Sequence, residues 1–171
     1  NFGILESGES ATHDFYNFEN VDVTVCKYED MDGDGDITED SLLMSPWGIS
    51  LDGGQYMDTV EGCVTFEDLG PGNYEISEDN SNDSWVQTYP TLSATHSFDT
   101  VSGQDEYFDF GNYHYAELVV LKDVVAWDES PADDSTEFTV SLSGEGTKDI
   151  SEINSETYSN LSPGTYTLYV K

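Results

Sequence analysis

Four lysines and no arginine carry all the strong positive charge of this chain, and two of the lysines stand where a charge is costly. Lys27 closes the alternating run Val21, Val23, Val25, and Lys122 follows Leu118 and Val120 in the same phase. Alternate residues of a strand share a face, so both ammonium groups are expected on an apolar face. A buried ammonium is expensive unless it is paired or chemically consumed. Two partners are in phase with apolar neighbours of their own: Asn112 with Phe108 and Phe110, and Glu78 with Tyr74 and Ile76. The plain alternative is that each lysine sits at a strand end and extends its stem to water.

A second group of residues has the spacing of a cation loop. Asp30, Asp32, Asp34, Gly35 and Ile37 fall at the first, third, fifth, sixth and eighth places of a calcium-binding loop. Ca²⁺ takes several hard oxygen ligands, and alternating carboxylates around a glycine turn can converge on it. Ser41 stands where such loops carry their closing Glu, so Asp36, Glu39 or Asp40 is expected to supply that ligand. The ligand set reads as Asp30, Asp32, Asp34, Asp36 and Asp40, with a solvated acidic turn as the alternative. Asp128, Glu129, Asp133 and Asp134 form a degenerate relative of this pattern, a stretch that reads equally well as plain acidic loop.

Cys26 and Cys63 fit one disulfide of an oxidising compartment, or two buried thiols. Asn82-Asp83-Ser84 and Asn160-Leu161-Ser162 have the form of glycosylation acceptors, a triplet that also arises by chance.

The elements that must position these groups are strands. Val21, Val23 and Val25 alternate with polar residues, as do Phe138, Val140 and Leu142, and Gly, Pro, Asn and Asp punctuate the runs. No helical stripe of useful length appears, which is the pattern of an all-β sandwich. The chain also repeats itself. One constant shift carries Asn17 to Asn112 and Lys27 to Lys122, matching Phe15–Lys27 to Phe110–Lys122. A slightly smaller shift carries Leu69-Gly70-Pro71-Gly72-Asn73-Tyr74 onto Leu161-Ser162-Pro163-Gly164-Thr165-Tyr166.

Three segments follow: 1–20, 21–115 and 116–171. The first module, 21–115, has closing strands between Trp85 and Asn112 that the second module, 116–171, lacks. Residues 1–20 resemble just such a closing strand, with Phe15-Tyr16-Asn17 at its end. Head-to-tail completion is therefore expected, residues 1–20 of one copy filling the open sheet of the next. An unfilled sheet edge templates aggregation, and a heterologous contact that does not close makes a filament.

These stretches resemble the prealbumin-like B-type repeats of bacterial surface proteins: the collagen-adhesin B-type modules and those of serine-aspartate repeat adhesins. Lys27 to Asp36 resembles their opening strand and acidic loop, and Phe66 to Glu78 their Pro-Gly turn and following strand. Trp85 to Pro90 and Asp109 to Asn112 resemble their later strands. The resemblance implies two tandem immunoglobulin-like sandwiches with a mechanical role as stalk or spacer. It also implies a spontaneous isopeptide bond, with Lys27 as nucleophile, Asn112 as acceptor and Glu78 as the acid that polarises the carbonyl. A second bond would join Lys122 to Asn17 of a neighbouring copy, although Val170 occupies the place equivalent to Glu78.

Thirty-six acidic residues give a formal net charge of -32, which repels the phosphates of nucleic acids and anionic membranes. No apolar run approaches a membrane span. His13, His96 and His114 show no metal spacing, and neither a phosphate loop nor a nucleophile elbow is present. The expectation is an extracellular structural protein without turnover: a fibre or stalk subunit, stabilised by calcium and crosslinks and self-associating head to tail. The alternative is a monomeric adhesin stalk that binds a ligand through loop aromatics, with Trp47 and Trp85 as candidates, although Trp85 falls in a strand stretch of the resemblance and reads more readily as core.

Overall fold

The computed structural model describes residues 7–91, 93–124, 137–151 and 154–171. Among these residues the regular structure is strand throughout, apart from one turn of 3₁₀ helix at Ile37–Glu39. Among the described residues no helix is long and apolar enough to cross a membrane.

The first half builds on β1 (Val21–Glu29), in which Val21, Val23, Val25 and Lys27 are buried and the residues between them half-exposed. Short strands β2 (Ser41–Leu42), β3 (Gly48–Leu51) and β4 (Met57–Asp58) follow. Then come β5 (Cys63–Leu69), β6 (Asn73–Glu78), β7 (Trp85–Tyr89), β8 (Thr95–Asp99) and β9 (Glu106–His114). One sheet places β1 between antiparallel β5 and parallel β9, with β2 beside the end of β1 and β7 outside β9. The other runs β4–β3–β6–β8, antiparallel throughout. Their inner faces meet on Val21, Val23, Val25, Ile49, Val64, Phe66, Leu69, Ile76 and Phe110. This is a β-sandwich with one core. β-Branched residues dominate β1 because their stiff side chains pack well on a pleated surface.

The second half has β10 (Ala116–Val120), β11 (Phe138–Leu142), β12 (Gly146–Ile150), β13 (Glu156–Leu161) and β14 (Leu168–Val170). β10 pairs β13, and a second sheet runs β12–β11–β14. A separate core forms on Val120, Val140, Leu142, Ile150, Tyr158 and Leu161.

The register of the first half recurs in the second. Val21 opposes Leu69 and Val23 opposes Phe66 across a bulge; Ala116 opposes Leu161 and Leu118 opposes Tyr158 across another. At each bulge the partner strand carries a left-handed residue, Asp68 at φ 60° and Asn160 at φ 57°. The Pro-Gly turns close alike, since Tyr74 Oη donates to Gly70 O at 3.3 Å and Tyr166 Oη to Ser162 O at 2.9 Å. Ile49 opposes Glu78 between β3 and β6, as Val140 opposes Val170 between β11 and β14.

The sequence expects a closing strand within residues 1–20. Residues 7–20 carry no strand in this chain. A strand persists only when paired, and both edges of β1 are taken. Instead, Gly103 N–H donates to Glu19 O at 3.0 Å, Glu19 N–H donates to Ser102 Oγ at 2.8 Å, and Phe18 packs on the first core. Phe15 and Tyr16 are exposed, at 83% and 89%. β9 ends at His114 and β10 begins at Ala116; across this junction Tyr113 Oη lies 3.1 Å from Ser162 Oγ.

Candidate functional site

Lys27 is the last buried residue of β1 and has no exposed surface. Its Nζ donates to Asn112 Oδ1 at 2.5 Å and lies 3.1 Å from Glu78 Oε2, with the Lys27 and Glu78 side chains fully enclosed. Asn112 comes from β9, parallel to β1, where it pairs with Glu29 while Phe110 pairs with Lys27. Glu78 ends β6 in the opposite sheet. The three groups therefore span the sandwich. Trp47, just before β3, completes the enclosure, its ring centroid 4.8 Å from the lysine nitrogen.

Burial pushes the Lys27 ammonium down to about 8, against the upward pull of Glu78 and Asp30. Burial likewise raises Glu78 above the usual carboxylate range, with Lys27 pulling the other way. Moving one proton from Lys27 to Glu78 turns a buried ion pair into a neutral amine and a neutral acid, which removes the desolvation cost of two charges. Neither Glu78 oxygen completes a well-directed hydrogen bond, and the amide nitrogen of Asn112 has no acceptor. The arrangement can support attack by a neutral amine on a carboxamide whose neighbour is an acid.

The second lysine is placed differently. β10 stops at Val120, so Lys122 lies past the strand end, half-buried, with its Nζ donating to Asp123 O at 2.7 Å. That nitrogen sits 4.6 Å over the Phe138 ring. Asn17 is exposed on the first half of the chain. Within one chain the structure brings no carboxamide to Lys122, because β10 has only β13 beside it among the described residues.

The acidic loop leaves the end of β1. Asp30 is fully buried; its Oδ1 accepts from Gly33 N–H at 2.7 Å and its Oδ2 from Gly35 N–H at 2.9 Å. Both glycines have positive φ, 73° and 78°, which glycine adopts without a Cβ clash. Burial raises the Asp30 carboxyl, but donors from Thr88, Gly35 and Gly33 outweigh it and leave the group below its ordinary value. Carboxylate oxygens of Asp30, Asp32 and Asp34 lie within 4.8 Å of one another. Asp40 faces the same group: burial and the charges of Asp30, Asp32 and Asp34 raise its carboxyl, and its Oδ2 is buried without a hydrogen-bond partner. Asp36 turns away to cap the 3₁₀ turn, accepting from Thr38 N–H at 3.0 Å. Asp128, Glu129, Asp133 and Asp134 lie outside the described residues.

Cys26 and Cys63 stand opposite each other on β1 and β5 and are joined as a disulfide across 37 residues. Asn82 is exposed in the loop before β7, its Oδ1 accepting from Ser84 N–H at 3.0 Å. Asn160 is exposed in the left-handed position that Asp68 occupies in the first half, a backbone reason for Asn there.

Sequence reasoning offered Trp47 as a loop aromatic for a ligand, read Trp85 more readily as core, and missed the place of Trp47 beside the lysine. Trp85 packs edge-on against Trp47, their centroids 5.4 Å apart. The signal was present, since Trp47, Ile49 and Leu51 alternate on one face.

No family model and no curated protein sequence matches the chain. Among solved structures, it is similar to the Bacillus anthracis TIE protein at 17% identity and a TM-score of 0.44, over 90% of this chain. The chain spans only 28% of that protein. It is also similar to the shaft pilin SpaA from Lactobacillus rhamnosus GG at 12% identity and a TM-score of 0.41, covering 88% of this chain and 87% of that one. Likeness at these scores decides neither fold nor function.

Proposed function

We propose that this chain is an extracellular structural subunit of a surface stalk or fibre, made of two tandem modules of one kind and stiffened by an internal amide crosslink. The observation that carries the reading is the enclosed group Lys27, Asn112 and Glu78, two charges and a carboxamide held in an apolar core with ordinary hydrogen bonding left incomplete. Neutral Lys27 Nζ attacks Asn112 Cγ, the Nζ–Cγ bond forms, and the Cγ–Nδ2 bond breaks. Glu78 relays the proton from Nζ to Nδ2, which leaves as ammonia. The disulfide supports an extracellular setting.

Two further elements belong to this reading. The acidic loop would hold Ca²⁺ through Asp30, Asp32, Asp34 and Asp40, and the fit rests on the partnerless Asp40 oxygen among like charges. Bound there, the cation would neutralise carboxylates that now repel one another. The second module would be completed by a strand of the Phe15–Asn17 type from a neighbouring copy. Supporting this are the edge of β10 that no described strand pairs with, the exposed Phe15 and Tyr16, and a groove lined by Leu118, Leu142, Leu161, Tyr166 and Leu168. The adhesin alternative loses its aromatic candidates, because Trp47 turns inward against the core.

Intact mass of the reduced, denatured chain tests the crosslink. The expected mass is one ammonia below that calculated for the chain after the disulfide is reduced, with Glu78→Gln restored to the full calculated mass. A wild-type chain at its full calculated mass overturns the reading.

A further inference from the structure

The two lysine sites share one feature and differ in another. Each lysine nitrogen rests over an aromatic ring, Trp47 for Lys27 at 4.8 Å and Phe138 for Lys122 at 4.6 Å. The two rings are equivalent: Trp47 stands two residues before Ile49 and Phe138 two before Val140, and those residues oppose Glu78 and Val170. Where the opposite strand supplies a carboxyl, the ring carries an N–H. Where it supplies Val170, the ring is Phe138 and has none. The aromatic face is kept at both sites; the donor is kept only beside the acid.

The Trp47 indole nitrogen is itself buried with no hydrogen-bond partner that meets ordinary geometry, as are both Glu78 oxygens. It is one of the groups that favour the charged form of Glu78. A buried donor without an acceptor costs free energy, so this N–H and this carboxyl are each other's natural partner. The indole is held in place from behind. The backbone N–H of Trp47 donates to Thr59 Oγ1 at 3.0 Å, the backbone N–H of Thr59 donates to Trp47 O at 2.9 Å, and Trp85 packs against the ring.

We infer that Trp47 is a positioning residue for the Lys27–Asn112 crosslink: its indole N–H fixes the Glu78 carboxyl between amine and carboxamide, while its ring face shields the lysine nitrogen from water. The inference rests on the crosslink reading. Trp47 touches neither the bond that forms nor the bond that breaks; it acts through Glu78. The charged group beside that carboxyl is Lys27, in the opposite sheet, and Asp30, just past the end of β1, acts on Lys27 in turn.

The test follows the loss of ammonia by mass against time after folding, across a pH series, in wild-type chain and in Trp47→Phe, which copies the second site. The expected result is crosslinking slowed about tenfold. A donor to a carboxylate lowers its pKa, so losing it keeps Glu78 protonated to higher pH, and the alkaline fall of the rate profile should move upward. Trp85→Phe, which alters packing and leaves the indole of Trp47 intact, should keep the wild-type profile. A Trp47→Phe chain with wild-type rate and profile overturns the inference and leaves the crosslink reading standing. A wild-type chain that loses no ammonia removes both. Should Trp47→Phe fail to fold, the indole proton resonance of Trp47 decides: it should shift between wild type and Glu78→Gln, and an unmoved resonance overturns the inference.

Discussion

Asp30 N–H donates to the backbone carbonyl of Asn112 at 2.9 Å, so the first residue of the acidic loop is tied to the main chain of the residue whose carboxamide lies beside Lys27. The loop begins where β1 stops pairing with β9, three residues beyond the lysine. Anything that orders the loop therefore steadies the strand end that presents Asn112. The loop and the buried trio are adjacent parts of a single strand pair.

The pH dependence of stability separates the lysine from the acid in a chain that cannot crosslink, such as Asn112→Ala. Lys27 falls from an ordinary 10.5 to about 8 on folding, so between those values the unfolded chain holds a proton that the folded chain has lost. Stability should climb with pH across that window, by at most about 1.4 kcal/mol per pH unit. Glu78 is raised, so the folded chain holds the extra proton just above the ordinary carboxylate value, and stability should fall with pH there. Urea unfolding at a series of pH values measures both limbs; a flat profile would contradict the burial of the pair.

Calcium should raise the unfolding temperature at low salt, and chelation should reverse the effect. With Ca²⁺ at ten times its dissociation constant the gain is about 1.4 kcal/mol. Asp32→Asn with Asp34→Asn should abolish the response, whereas Asp36→Asn should leave it largely intact, because that side chain caps the 3₁₀ turn. Differential scanning calorimetry with and without EDTA reads the result; equal responses in all three chains would remove the cation from the loop.

Breaking the Cys26–Cys63 bond should destabilise the first half by about 4 kcal/mol on the chain-entropy estimate for a closed loop of 37 residues. Paired Cys26→Ser and Cys63→Ser substitutions, with unfolding followed by the fluorescence of Trp47 and Trp85, measure it. The second core should melt unchanged.

Strand completion between copies predicts concentration-dependent association. Phe15→Asp should abolish it, because the exposed ring is the group placed to enter the groove beside β10. Sedimentation velocity over a dilution series checks this. Association unaffected by Phe15→Asp would assign the contact to another surface.

Much of this architecture was legible in the alternation of Val21, Val23, Val25 and Lys27, because a period of two fixes which face each residue takes. Asn112 and Glu78 were readable from their phase with Phe108 and Phe110 and with Tyr74 and Ile76, and the registers of β1–β5 and β10–β13 follow the shifts of the internal repeat. Lys122 shows where that logic stops. Its phase is that of an inward residue, yet β10 ends two residues earlier, for alternation cannot tell how far a strand extends without its neighbour. Trp47 was readable from its phase with Ile49 and Leu51 but was drawn toward the surface by its loop setting. Asp36 has the spacing of a ligand and the conformation of a cap, a choice between two hydrogen-bond patterns that spacing alone leaves open. The two-residue strands β2 and β4 exist only through their pairing with β1 and β3.

The parallel pairing of β1 with β9 has a mechanical consequence. Tension applied along the chain enters the first sandwich at Val21 and leaves it at His114, on adjacent strands that run the same way. Pulling them apart is a shear, in which the rungs of the ladder bear load together, rather than an unzipping that breaks one rung at a time. The route of greatest force thus runs through the stretch that also holds Lys27 and Asn112, while β3, β4, β6 and β8 hang beside it, largely unloaded.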